Sequence, residues 1–410
     1  MTEDGGQRTE DSPSPLRGFH LRASRFGGQV GGQATDNRET DNPDNHQPTT
    51  VNRQPMIWLH RYAKLVTVFT VLLIAAGGMV TSTGSGLSVP DWPTTYGWNM
   101  FTFPLSKWVG GIRYEHSHRL IASTVGFLTI ILALWTWRVE PRRWVRTLGF
   151  LCLAAVILQG LLGGLTVLLL LPPAVSIGHA GLAQIFFCLT LTLALVTSPG
   201  WRTPTTRDSR PATRDSGLAT RDSMLRGLAT VTTVAIYAQI ILGAAMRHTD
   251  AGLAIPTFPL AFGHLVPPAW SPQIAIHYAH RVGALAVTLA ILATAGHVFV
   301  HHRDRRELAG PSLLLLAFVC SQVTLGAFVV LTAMNPVVNT AHVVNGALVL
   351  GTSLVLTLRS YRATVSEART VSAPISRQPI PRSARAAGGL ASAGEPGVGP
   401  RRALRNEARP

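Results

Sequence analysis

Residues 83–93 of the chain read Thr-Gly-Ser-Gly-Leu-Ser-Val-Pro-Asp-Trp-Pro, and residues 249–259, 166 positions later, read Thr-Asp-Ala-Gly-Leu-Ala-Ile-Pro-Thr-Phe-Pro. Other pairs repeat at nearly the same spacing. Glu115-His-Ser-His118-Arg119 is matched by His277-Tyr-Ala-His280-Arg281 at an offset of 162, and Gln159-Gly-Leu-Leu-Gly163 by Gln322-Val-Thr-Leu-Gly326 at an offset of 163. Because several features recur in one order and spacing, the sequence indicates a tandem duplication.

Long apolar runs surround these repeats. Each could cross about 30 Å of hydrocarbon as a helix, and helices are required because lipid offers no partners to free backbone groups. The predicted spans lie near 62–82, 116–138, 147–170, 175–197, 227–246, 276–300, 311–332 and 338–358. The sequence therefore predicts an all-α integral membrane protein, with eight transmembrane helices arranged as two tandem pseudo-symmetric four-helix bundles.

The composition of the 410-residue chain agrees with this fold class. Apolar residues make up 47% and charged residues 14%, against about 25% charged in soluble proteins. The net charge of +16 would suit nucleic acid, but the basic residues are scattered over tails and short loops, so we expect no nucleic-acid partner. Three cysteines, all inside apolar stretches, exclude a disulfide framework and a CxxC metal site.

The polar segments divide the chain into domains. We expect residues 1–55 and the basic residues 359–410 to be disordered cytoplasmic tails, because neither can bury enough apolar surface to offset chain entropy. Residues 56–197 form the predicted N-terminal half and residues 227–358 the C-terminal half. The cytoplasmic linker between them, 198–226, repeats Thr-Arg-Asp-Ser three times.

Orientation follows from the positive-inside rule. The loops at 138–147, 198–226 and 301–310 hold thirteen arginines, against three basic residues in the opposite loops, Lys107, Arg113 and Arg247. Both termini are therefore expected in the cytoplasm. The N-terminal residues show no transit-peptide pattern, and Lys is nearly absent while Arg is abundant. A multi-pass protein of a bacterial plasma membrane is the expectation.

Four histidines recur near the starts of the even-numbered spans: His118, His179, His280 and His342. With the N-terminus inside, all four lie at similar depth near the outer face. The separations also agree, with 61 residues between the first two and 62 between the last two. An ionisable side chain within a span is costly and is usually functional, although a core histidine bonded to a neighbouring helix is the simpler alternative.

Paired imidazoles on facing helices can hold haem iron from both sides. The adjoining Arg119 and Arg281 could then meet haem propionates, since guanidinium matches carboxylate geometry; contact with lipid headgroups is the alternative. Zinc is a weaker interpretation, because it usually draws on Cys or carboxylate at tight spacing and only Glu115 is near. His248 and His264, expected in an outer loop, do not fit the pattern.

The halves differ at Glu115, which lies three residues before His118 and shares its helix face, whereas the second half has His277 there. This carboxylate could be a general base or proton acceptor, or a solvated group at a helix N-terminus. The asymmetry suggests that one half performs chemistry while the other holds a permanent cofactor. Aromatic residues also crowd the first outer loop, as an interfacial belt or as cover for a large flat ligand: Trp92, Tyr96, Trp98, Trp108 and Tyr114.

Over residues 57–358 these motifs together resemble the CtaA family of haem A synthases, membrane enzymes that oxidise haem O. The resemblance implies the oxidation of the C8 methyl group of haem O, by successive hydroxylations, to the formyl group of haem A for terminal oxidase assembly. It implies Glu115 as the catalytic carboxylate, His118 and His179 as axial ligands at the haem O site, and His280 and His342 as ligands of a resident haem b. Some members carry a cysteine pair in the first outer loop, which this chain lacks between 83 and 114.

The implied partners are haem O, membrane lipids, haem O synthase, oxidase assembly factors and an unidentified electron acceptor. Two other functions are weighed against the enzyme. A non-enzymatic di-haem b cytochrome is disfavoured, because transmembrane relays place haems near opposite faces. A transporter would be compatible with tandem repeats, but clear mid-helix breaks and midplane charges are absent from the sequence.

Overall fold

The computed structural model describes residues 53–202 and 216–371. Most of both expected tails, and residues 203–215 of the expected interhalf linker, lie outside these ranges. Residues 216–226 of the expected linker and 359–371 of the expected C-terminal tail are helical, as continuations of membrane helices. Eight long helices fill them: α1 Arg53–Ser82, α2 Gly111–Val139, α3 Arg143–Leu168, α4 Pro173–Thr197, α5 Ser216–His248, α6 Pro272–His301, α7 Arg306–Leu331 and α8 Pro336–Val371. A 3₁₀ turn at Leu105–Lys107 and a single helical turn at Pro199–Arg202 complete the helical content of the described residues.

All eight helices are long and apolar enough to cross a membrane, which confirms the predicted number of spans. The first and fifth helices extend well beyond the apolar runs that defined their prediction. Backbone hydrogen bonding continues into the polar residues at a helix end, so a span read from hydropathy is shorter than its helix. His248, expected in an outer loop, is accordingly the last residue of α5.

Each half is a ring of four helices. In the first half α1 contacts α2, α2 contacts α3, α3 contacts α4, and α4 closes on α1; helices α5 to α8 repeat this order. This pattern agrees with the predicted pair of four-helix bundles. Within each ring the second and fourth helices are diagonally opposite, so their inward side chains face one another across the bundle interior.

The halves meet through α1 and α4 of the first and α5 and α8 of the second. Helix α1 packs on α8 and α4 on α5, with a further contact between α4 and α8. Exchanging the halves interchanges the first two contacts, so the interface has pseudo-twofold symmetry. The end of one half's first helix thereby lies beside the start of the other half's fourth helix.

The long outer loops after α1 and α5 are also alike. Thr95 pairs with Trp98 through reciprocal backbone hydrogen bonds, as Ala261 does with His264. One side chain fixes the turn in each loop. In the first loop the carboxylate of Asp91 accepts from the backbone N–H groups of Tyr96 and Gly97. In the second loop the hydroxyl of Thr257 accepts from the backbone N–H of Phe262. The repeated sequence thus encodes a repeated loop over each bundle.

Candidate functional site

Each of the four histidines lies against a glycine of the preceding helix. A Cβ atom at Gly77 would lie 3.0 Å from Cε1 of His118, and one at Gly243 would lie 2.8 Å from Cε1 of His280. The corresponding distance is 3.1 Å for both other pairs, Gly163 with His179 and Gly326 with His342. Only glycine lets an imidazole approach the neighbouring backbone this closely.

The histidines come together in two pairs. His118 on α2 and His179 on α4 extend from diagonally opposite helices and interact electrostatically. His280 on α6 and His342 on α8 do the same in the second half. All four residues are half-buried.

Glutamines orient three of the four rings. Nε2 of Gln159 lies 3.2 Å from Nε2 of His179, and Nε2 of Gln322 lies 3.3 Å from Nε2 of His342. Nε2 of Gln239 lies 3.0 Å from Nδ1 of His280 and donates to the carbonyl of that residue at 2.7 Å. Each glutamine precedes the contacting glycine by four residues, one turn along the same helix face.

Sequence reasoning noted two of these Gln-x-x-x-Gly motifs but missed the third, Gln239 to Gly243. The same four-residue spacing from glutamine to glycine was the signal that could have found it. In α1 the corresponding position, 166 residues earlier, is Leu73. His118 is therefore the one member of the four that no glutamine touches.

The ring nitrogens fit a metal ligand. Nδ1 of His118, His179 and His342 is buried with no hydrogen-bond partner among the described residues. Burying an imidazole nitrogen without a partner is unfavourable, and a neutral imidazole is a common metal ligand. Two such rings facing each other suit axial ligation of haem iron. The described residues contain no group of three or more His, Cys, Asp or Glu side chains that could hold a metal ion.

Glu115 joins the first outer loop to α2. Its side chain is buried, with Oε2 accepting from the N–H of Val89 at 2.8 Å and Oε1 paired with Nη2 of Arg119 at 2.6 Å. The equivalent residue His277 is equally buried, and its Nδ1 lies 3.0 Å from the carbonyl oxygen of Ala251 and 3.3 Å from the backbone nitrogen of Ile255. Both positions thus anchor the outer loop three residues before a paired histidine, but only the first carries a carboxylate.

The two arginines differ in their free donors. Nη1 of Arg119 donates to the carbonyls of Asp91 and Thr94, and Nη2 donates to that of Val89 as well as to Glu115. Arg281 uses Nη2 alone, bonding two carbonyls of the second loop, while its Nε and Nη1 are buried without a partner among the described residues. The loop therefore occupies both terminal nitrogens of Arg119, whereas Arg281 keeps donors for an added carboxylate.

Two other side chains distinguish the first bundle. His116 is fully buried against the rings of Phe103 and Trp108, away from the paired histidines. The indole of Trp92 covers Gly164, where a Cβ atom would lie 2.5 Å from the ring. Gly164 follows Gly163, which contacts the ring of His179. Trp92 of the outer loop therefore reaches the outer end of the bundle interior.

The fold and the site together define a class: duplicated eight-helix membrane proteins with two pairs of facing histidines inside their bundles. The family model COX15-CtaA, described as cytochrome oxidase assembly protein, matches residues 60–354. The chain belongs to this family.

Curated relatives extend the similarity along most of the chain. It is 29% identical over 321 residues to a "Heme A synthase" of Geobacillus kaustophilus, covering 75% of this chain and 94% of the relative. It is 30% identical over 281 residues to one from Symbiobacterium thermophilum, covering 67% and 87%. A third, from Alkalihalophilus pseudofirmus, is 28% identical over 283 residues, covering 67% and 89%.

Proposed function

We propose that this protein oxidises the C8 methyl group of haem O to the formyl group of haem A. The observation that carries this function is the match to haem A synthases over most of the chain, joined to two pairs of facing histidines. Three of the four rings have a buried nitrogen with no partner among the described residues. The family relationship supplies the reaction, and the histidine pairs supply places for two haems.

The two halves take different roles in this proposal. His118 and His179 hold haem O, and His280 with His342 holds a resident haem b. Bound haem b supplies one-electron redox chemistry. Arg281, with its unpaired buried donors, is suited to a propionate of the resident haem. Arg119 acts differently from the sequence expectation, by fixing the loop and Glu115 beside the first pair.

Glu115 is the proposed catalytic residue of the first half, as the acceptor of protons released when the methyl group is oxidised. Its place one helical turn from His118 supports this role, as does the charge difference from His277. Because Arg119 and Val89 fix both carboxylate oxygens, the group is held in one orientation. A fixed carboxylate close to the reacting haem is suited to proton transfer.

We further propose a bacterial plasma membrane with both termini in the cytoplasm, which places both histidine pairs near the outer face. The arginine distribution supports this orientation. In this setting haem O arrives from a membrane-bound synthase and haem A leaves for oxidase assembly. The electrons pass to an acceptor that the sequence does not identify.

Expression beside a haem O source, followed by chromatography of the extracted haems, tests the function. Haem A should appear with the intact chain and be missing from cells that lack it. The matched variant His118→Ala should also yield none. If the intact protein accumulates haem b and haem O but forms no haem A, the electron-transfer alternative is favoured and the enzyme proposal is wrong.

A further inference from the structure

The last turn of α5 carries two basic residues, Arg247 and His248, that have no basic counterpart in the first half. The corresponding residues at the end of α1, 166 positions earlier, are Thr81 and Ser82. The duplication therefore diverged here from two hydroxyl side chains to an arginine and a histidine, at the outer end of the interface between the halves.

Arg247 lies beside the first histidine pair although it belongs to the second half. Its Nη2 donates to the carbonyl of Thr81 at 2.7 Å. Thr81 is one helical turn, about 5.4 Å, beyond Gly77, to which its hydroxyl is hydrogen bonded. Gly77 is the residue against which the ring of His118 lies. The guanidinium is thus one turn outward from a proposed haem ligand.

His248 ends α5 on the side of the other member of the same pair. Helix α5 packs on α4, which begins six residues before His179. Ser82 shows the equivalent placement at the second site, where its hydroxyl accepts from Asn339 and Thr340 in the turn of α8 that precedes His342. The end of each half's first helix therefore borders the other half's histidine pair.

The arginine donors are divided in a complementary way. Within the described residues, the buried guanidinium nitrogens that lack a partner belong to Arg247, at Nε, and to Arg281, at Nε and Nη1. Arg281 serves the second pair, whereas Arg119 is occupied by its loop. Each histidine pair therefore has one nearby arginine with an unpaired N–H donor. At the first pair this arginine is Arg247, which belongs to the opposite half.

We infer that Arg247 and His248 form a carboxylate-binding subsite at the outer end of the first histidine pair. Resting on the proposed function, this subsite takes the propionates of haem O, which project from one edge of the macrocycle. Unpaired guanidinium N–H groups and an imidazole suit an ionised carboxylate. The second half therefore takes part in binding the substrate of the first.

The test uses the full chain in detergent and two probes that differ only in their carboxylates: iron protoporphyrin IX and its dimethyl ester. Binding at the first pair is read as the part of the Soret titration that His118→Ala abolishes. The wild-type protein should bind the free acid more tightly. In Arg247→Gln/His248→Asn this preference should fall roughly tenfold, with the ester affinity unchanged.

Controls separate this subsite from a general effect. Arg113→Gln and His264→Asn remove exposed basic residues of the same outer surface and should leave the preference intact. Arg247→Lys, which keeps the charge but removes Nε, should lower it partly. A wild-type protein that does not distinguish the probes, or a double variant that keeps the wild-type preference, would overturn the inference. Equal weakening of both probes would overturn it too, because it would indicate packing. If His118→Ala abolishes no part of the titration with either probe, the assignment of the first histidine pair is wrong, which is an outcome distinct from failure of the subsite.

Discussion

Glu115 and His277 occupy equivalent positions, and each lies against the backbone N–H of the equivalent loop residue, Val89 or Ile255. One duplicated position thus retains a shared structural task, loop anchoring, while the chemistry of the side chain has changed. The carboxylate can be tested separately from the anchor, because the second half offers the anchor without the charge.

Replacing Glu115 by Gln is expected to abolish haem A formation while haem binding persists. The amide oxygen can still accept from Val89, so the loop remains anchored, but the group can no longer take up a proton. Haem A is measured by chromatography and bound haem by absorbance. His277→Gln is the matched control and should retain activity; wild-type haem A output from Glu115→Gln would mean that the carboxylate is only an anchor.

Alanine at the contact glycines is expected to displace the histidine rings. Gly243→Ala places a methyl group 2.8 Å from His280, so the Soret absorbance of the second site should be lost. Since alanine is favoured over glycine within a helix by about 1 kcal/mol, the loss would not reflect helix formation. On α3, Gly163→Ala should disturb His179, whereas Gly160→Ala, with no atom within 4 Å, should not. If Gly163→Ala and Gly160→Ala have the same Soret absorbance, the packing role of Gly163 is contradicted.

Leu73→Gln is expected to give His118 the amide contact that the other three rings possess. A ring that is held by the introduced amide as well as by its glycine contact should retain haem longer. Exchange of haem from the first site should therefore slow, on the order of tenfold. Stopped-flow transfer of haem to an excess acceptor measures this rate. The reverse change at the second site, Gln239→Leu, should speed exchange there. If neither variant changes its rate, the glutamines do not control ligand retention.

Acid should loosen the first outer loop before the second. Partial burial would raise the pKa of the Asp91 carboxyl, but hydrogen bonds from Gly97, Thr94 and Tyr96 hold it below its ordinary value. Since the folded pKa is the lower one, this stabilisation is complete above about pH 4 and disappears as the pH falls through the folded value.

Hydrogen exchange of residues 91–98 at decreasing pH, corrected for intrinsic exchange rates, measures the loosening. The equivalent turn at 257–264 is held by the hydroxyl of Thr257, which does not titrate, so it provides an internal comparison and should respond less than the first turn. Asp91→Asn should loosen the first turn at neutral pH and remove its acid response. Parallel behaviour of the two turns would contradict the assignment.

The sequence predicted the eight helices because hydropathy and the absence of hydrogen-bond partners in lipid leave few alternatives. It also indicated which histidines pair, since the duplication shows two copies of each feature. The partners of Glu115 and Arg119 could not be predicted, because they are backbone groups of an irregular loop. His248 was misplaced in a loop because a polar residue at a helix end carries no hydropathy signal.

Arg247 and Thr81 touch across the pseudo-twofold axis, and this contact has an evolutionary consequence. In a homodimer of identical four-helix units, a residue on such an axis meets its own copy. Two guanidinium groups at that place would repel each other, so an arginine there would weaken the assembly. In a single chain the position can differ between the halves, so Arg247 meets Thr81 rather than a second arginine. Covalent joining of the units is therefore compatible with residues on the axis that a homodimer would exclude.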